Sequence, residues 1–163
     1  MKYKKVGNTD IEVSEFALGC WPFAGGSVWG PQDDEVSIAT VHAALDRGIN
    51  FFDTAEGYND DSHSEEVLGQ ALVGRRNQAV IATKISPPHL VPSLVEETCD
   101  ASLHKLQTDY IDLYQIHWPN HDVAIEDSMA ALLKLKDSGK IRSIGVATSE
   151  LRISLMPWRQ QNW

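Results

Sequence analysis

Residues 51–58 read FFDTAEGY. Phe51 and Phe52 close a short apolar run that begins at Ile49, the carboxylate of Asp53 stands where the run stops, and the phenol of Tyr58 follows five positions later. An apolar run of this length, bounded by turn-forming residues, reads as a buried strand with a polar C-terminal end. The segments on either side decide which fold holds such a strand.

Upstream, "KYKKVGNTDIEVSE" reads as a hairpin turning at Gly7 to Asp10, and "FALG" as a first buried strand. Asp33 and Asp34 then offer an N-cap and first-turn acids, Ile38, Val41 and Leu45 form an apolar stripe, and Gly48 stops the helix. Downstream the alternation repeats. "HSEEVLGQALVG" is helical, "AVIATK" a strand, Ser93 to Leu106 helical, "YIDLYQIH" a strand, Ile125 to Ser138 helical with Gly139 as its stop, and "IRSIGVA" a fifth strand. Strands alternating with helices predict a parallel sheet with right-handed crossovers.

The expected strand ends, Gly19, Asp53, Lys84, His117 and Val146, are 34, 31, 33 and 29 residues apart. That near-constant interval favours a (β/α) barrel over an open doubly wound sheet, and no G-x-G-x-x-G follows the first strand. The predicted fold is α/β: an incomplete TIM-type (β/α)8 barrel of about five parallel strands and four helices, opened by a β-hairpin.

The chain has 163 residues, 42% of them hydrophobic, and a formal net charge of -9. One domain with one core follows from the length, and the acidity argues against nucleic acid or anionic membrane as a partner. The lysines of "MKYKKVGNTD" precede no apolar leader, and no stretch holds the ~20 apolar residues that span a bilayer, so a cytoplasmic location is expected. Cys20 and Cys99 are the only cysteines, too few for a secreted scaffold, and Cys99 continues the apolar helix face of Val95, Leu103 and Leu106. His117 and His121 have the spacing of a helical metal pair, but Pro119 lies between them after a strand, so no metal site is expected.

Taken singly, Asp53 reads as a cap, Lys84 as a snorkelling cation and His117 as a structural histidine. Together they are three ionisable groups at successive strand ends, where a barrel collects its active site, with Tyr58 in one of the loops. The set suits proton transfer to a carbonyl oxygen. A phenol with an ordinary pKa near ~10 needs a cation to stabilise its phenolate; Lys84 is that cation, Asp53 keeps it charged, and His117 hydrogen-bonds the substrate oxygen. Trp21, Trp29 and Trp118 fall in loops after strands, placed to wall an apolar pocket.

"GINFFDTAEGY" with "SEEVLGQAL" behind it, "VIATK", "DYIDLYQIHWP" and "GKIRSIGV" resemble the aldo-keto reductases. The resemblance places that family's catalytic tetrad on Asp53, Tyr58, Lys84 and His117. It implies reduction of a small aldehyde or ketone by NADPH, with NADH possible, Tyr58 giving the proton. It also implies cofactor contacts at Cys20, Trp21 and Asp53, and substrate contacts at Trp21, Tyr58, His117 and Trp118. The alternative is a non-catalytic, aldo-keto-reductase-like binding or regulatory module.

Eight barrel strands need about 250 residues, and this chain offers five strands. Where the family shows Ser-Asn after the fifth strand, Ala147 and Thr148 stand here, and residues 147–163 read as an atypical tail on a truncated domain spanning 1–163. The short chain is accordingly expected to be weakly active or inactive, and to self-associate through an open barrel edge.

Overall fold

The computed structural model describes residues 1–58 and 63–147. A hairpin comes first: β1 (Tyr3–Lys5) pairs antiparallel with β2 (Glu12–Ser14), Tyr3 opposite Ser14. Gly7 turns the chain at φ 51°, and the Thr9 hydroxyl donates to the Val6 carbonyl. Ile11 and Val13 of the hairpin bury themselves against Val80 and the partly buried Phe51.

Five parallel strands follow in sequence order: β3 (Ala17–Gly19), β4 (Phe51–Asp53), β5 (Val80–Ile85), β6 (Ile111–Ile116) and β7 (Ile141–Val146). Four helices cross between them: α2 (Asp34–Asp46), α3 (His63–Ala71), α4 (Val95–Lys105) and α5 (Ile125–Asp137). The expected hairpin, five-stranded parallel sheet and four crossover helices are therefore present. Beyond expectation, the loop after β3 forms a 3-10 turn, Trp21–Ala24, and a one-turn helix α1 (Gly26–Trp29), both too short to show a helical period. Among the described residues, β3 and β7 each pair on one side only.

Capping chemistry sets where α2 starts. The Asp33 carboxylate accepts from the amides of Glu35, at 2.9 Å, and Val36, and Asp34 and Glu35 place negative charge against the helix N-terminus. Gly48, at φ 82°, follows the last turn. The four helices lay Val41, Val67, Leu68, Cys99, Leu103, Met129 and Leu132 into one core. Burial pushes the Cys99 thiol up to about 12, which suits a packing residue.

Strand alternation divides β5 between two surfaces. The Thr83 hydroxyl donates to Glu65 on α3, so Ile81, Thr83 and Ile85 face the helices, and Ala82 and Lys84 face the other way. β4 puts the fully buried Phe52 on the helix side and Asp53 opposite. β5 runs one residue beyond Lys84, and β6 stops one residue short of His117. No described helix is long and apolar enough to cross a membrane.

Candidate active site

Parallel register brings the acid, the base and the phenol together. Asp53 lies opposite Ala82, so Lys84 stands two residues further along its strand, at the height of the loop that leaves β4. Its side chain is 7% exposed, and its ammonium donates to Asp53 Oδ2 at 2.8 Å, to the Thr54 carbonyl at 2.8 Å and to the Tyr58 hydroxyl at 2.9 Å. Those three acceptors saturate the three donors of an ammonium. Tyr58 in turn donates to Asp53 Oδ2 at 3.4 Å.

The electrostatic outcome departs from the expectation built on Lys84 alone. Burial raises the Tyr58 phenol above its ordinary value, and the Lys84 contact opposes without overcoming it. Tyr58 is therefore a protonated phenol at neutral pH, the form that can give a proton away. For His117 burial comes first and the nearby Lys84 charge second, and both lower its pKa. The ring is neutral at pH 7, with one N–H to donate.

Five aromatic rings continue from these groups. Trp29 meets Trp21 edge-on with centroids 5.7 Å apart, and Trp21 stacks on Tyr58 at 5.6 Å. Tyr58 meets His117 edge-on at 5.8 Å, and His117 stacks with Trp118 at 6.1 Å. Trp21, Trp29 and Trp118 are exposed on their outer sides. The short structure after β3 is what places two of these rings.

Family membership follows from this constellation together with the sequence. The model of the aldo/keto reductase family matches residues 15–156. This chain belongs to the aldo/keto reductase family. The aldo-keto reductase YhdN of Bacillus subtilis is 43% identical over 90% of the chain and 47% of its own length. The NADH-specific methylglyoxal reductase of Escherichia coli is 38% identical over 90% of the chain and 52% of its own length. Among solved structures, an aldo-keto reductase from Klebsiella pneumoniae in complex with NADPH superimposes with a TM-score of 0.82 at 33% identity, covering 92% of this chain and 51% of that one. The chain spans about half the length of the curated relatives it matches.

The structure brings Asp53, Tyr58, Lys84, His117, Trp21 and Trp118 into one neighbourhood, and Cys20 adjoins it through its amide, which donates to the Asp53 carbonyl at 2.8 Å, while its side chain is enclosed. Cys20 is fully buried, its thiol lies 3.6 Å from the Leu18 carbonyl, and its own carbonyl accepts from the Ser64 hydroxyl at 2.7 Å. Its side chain offers no surface to a ligand. Ala147 extends the pairing of β7, its amide donating to the Ile116 carbonyl at 2.9 Å, whereas Thr148 and the tail to residue 163 lie outside the described residues. Among the described residues no group of three or more His, Cys, Asp or Glu is placed to hold a metal.

Sequence reasoning missed two acids. Glu65 is completely buried under Thr83, and Glu56 sits between Asp53 and Tyr58 with its carboxylate on Ser86 and His89. The only available signal was an acid inside the "TAEGY" loop, and acids in loops are ordinarily solvated.

Proposed function

We propose that this chain carries the acid–base side of an NAD(P)H-dependent reduction of aldehydes or ketones to alcohols, with Tyr58 as proton donor. The observation that carries this reading is the Lys84 ammonium shared between Tyr58, Asp53 and Thr54. A structural ion pair has no need of a half-buried phenol at its open end.

The donor set fits the reacting end of a nicotinamide cofactor. A protonated phenol and a neutral imidazole, their rings edge-on at 5.8 Å with the exposed indole of Trp21 beside the phenol, are the donor types that suit a carbonyl oxygen. Among the described residues Lys84 is the only cation at that end of the sheet. Lys2, Lys4 and Lys5 lie at the hairpin, and the others at helix C-terminal turns or where the chain enters a strand. The described residues therefore suit the nicotinamide and carbonyl rather than the cofactor phosphates.

When bound, the cofactor supplies a hydride to the carbonyl carbon. As negative charge gathers on the carbonyl oxygen, the Tyr58 hydroxyl transfers its proton to that oxygen, giving the alcohol and a phenolate. Lys84, 2.9 Å away, stabilises the phenolate, and Asp53, at 2.8 Å, holds Lys84 aimed at it. His117 donates to the substrate oxygen and fixes its approach, while Trp21 and Trp118 flank the substrate. Asp53 and Trp21 are the residues proposed to meet the nicotinamide. Cys20 is proposed to serve the cofactor side indirectly, its carbonyl accepting from the Phe23 amide at 3.0 Å and so fixing where the Trp21 turn begins.

NADPH is the proposed cofactor, with NADH the second candidate; the Klebsiella neighbour binds the first and the E. coli relative is named for the second. Since the chain spans about half the length of its relatives, the 163-residue polypeptide alone is proposed to turn over slowly. The test is single-turnover oxidation of NADPH, then NADH, with para-nitrobenzaldehyde and excess protein. Tyr58→Phe should lower the rate on the order of 100- to 10,000-fold and leave cofactor binding intact. A rate indifferent to Tyr58→Phe would refute the assignment.

A further inference from the structure

The Tyr58 loop is tied at its start by Thr54, whose amide donates to the Ala82 carbonyl at 2.9 Å and whose hydroxyl lies 2.8 Å from that of Ser64. Among the described residues the Tyr58 amide bonds to the Ala55 carbonyl, at 3.2 Å, and the Glu56 amide reaches the Lys84 carbonyl at a long 3.4 Å. The middle of the loop is tied down by the Glu56 side chain, which is 11% exposed. Its Oε1 accepts from the Ser86 amide and lies 2.9 Å from His89 Nδ1, and its Oε2 lies 3.1 Å from the same nitrogen. Ser86 and His89 belong to the loop and 3-10 turn (Pro87–Leu90) that follow β5, the strand of Lys84.

Two further observations give this tether a direction. A Cβ on Gly57 would come 2.8 Å from Ser86 Oγ and 3.9 Å from His117 Nδ1, so the backbone between Glu56 and Tyr58 lies directly on the second loop. The second loop is itself held by the third, because Asn120 Nδ2 donates to the Pro87 carbonyl at 2.8 Å, three residues beyond His117. The Glu56 carboxylate and the Asn120 amide thus link, in turn, the loop that carries Tyr58, the loop that follows Lys84 and the loop that carries His117.

We infer that Glu56 is the positioning residue for the proton donor: its carboxylate clamps the Tyr58 loop onto the loop after β5 and so sets the Tyr58 hydroxyl beside Lys84 and His117. The inference rests on the reading of Tyr58 as proton donor, but its geometric content can be measured without turnover. Glu56→Ala removes the clamp. Glu56→Asp keeps the charge but, one carbon shorter, cannot reach Ser86 and His89 together. Glu56→Gln keeps an oxygen for the Ser86 amide.

The experiment is an NMR titration of the Tyr58 ring in the full chain with isotope-labelled tyrosine, assigned by Tyr58→Phe, alongside single-turnover reduction. Burial holds the phenol above its ordinary range in the clamped loop. Released toward water, it should titrate lower, toward about 10, in Glu56→Ala and Glu56→Asp, and stay at the wild-type position in Glu56→Gln. The reduction rate should fall on the order of a hundredfold in the first two, cofactor affinity unchanged, and recover in Glu56→Gln. If Glu56→Ala does not fold, Glu56→Asp carries the test. An unmoved Tyr58 titration in a folded Glu56→Ala or Glu56→Asp overturns the inference. A titration that moves as expected while Tyr58→Phe leaves the rate untouched refutes the proton-donor reading and leaves the clamp standing.

Discussion

The Lys84 ammonium lies 2.9 Å from the Tyr58 hydroxyl and, over the phenol ring, 4.8 Å from its centre, so it is much nearer the oxygen than the middle of the ring. A cation so placed acts on the oxygen, where charge appears once the proton leaves, more than on the π face. Replacing it therefore has a definite electrostatic sign.

Lys84→Met should move two titrations the same way. Lys84 lowers the Tyr58 phenol against the upward push of burial, and it is the second cause holding His117 down. Without it, Tyr58 should titrate higher still and His117 should rise toward its ordinary 6.5. NMR titration of both rings reads this directly, and a fall at Tyr58 would contradict the arrangement.

His117 also links stability to pH. Its folded pKa lies below its ordinary 6.5, so the folded state binds fewer protons than the unfolded state. Its contribution is fully present above pH 6.5 and lost as pH falls through the folded value. Urea unfolding of wild type and His117→Gln between about pH 8 and 5 should show the variant gaining on wild type toward the acid end. Parallel curves would deny that His117 is depressed.

Glu65 works in the opposite sense. Burial is the larger cause and raises its carboxyl from 4.5 to about 7, with the Thr83 hydroxyl bond opposing. Its other oxygen, Oε2, has no hydrogen-bond partner among the described residues. The folded state therefore holds a proton that the unfolded state has released. Stability is unaffected below about 4.5 and declines as pH rises through about 7. Glu65→Gln should remove that decline, gaining on the order of a few kcal/mol over wild type at pH 8 and nothing at pH 4. Denaturant melts across that range decide it, and a pH-independent difference would mean that Glu65 ionises normally.

Gly69 sets how closely α3 approaches the end of α4. A Cβ there would come 2.5 Å from the Lys105 carbonyl oxygen and 2.7 Å from the Leu106 carbonyl carbon, both backbone atoms that cannot step aside. Gly69→Ala should cost about 1–3 kcal/mol despite the better helix propensity of alanine. Thermal unfolding should fall by about 2–4 °C for each kcal/mol, and an unchanged midpoint would show that the two helices can separate freely.

Most of the β/α alternation was legible because buried strands and amphipathic helices repeat with different periods. The acid-capped start of α2 and the buried run of "AVIATK" needed no tertiary information. The turn Trp21–Ala24 and helix α1 were not legible, since one turn shows no period. At the site, Asp53, Lys84 and His117 stood out because each is polar directly after an apolar run. Cys20 did not reveal in sequence that its side chain would be wholly enclosed, because burial is a property of what packs around a residue.

By itself, then, the sequence determined which residues lie at strand ends and which ionisable types meet there. Local pattern is enough for that, since a strand end is where the apolar run stops. Only the tertiary structure decided the balance of forces between them. Whether burial or Lys84 governs Tyr58 depends on how much water the folded loops exclude. The role of Glu56 depends on a Ser86 amide and a His89 ring that lie 30 and 33 residues away in the chain and meet it in space. Through-space desolvation and long-range hydrogen bonds have no local sequence period, so neither exists until the sheet has brought its loops together.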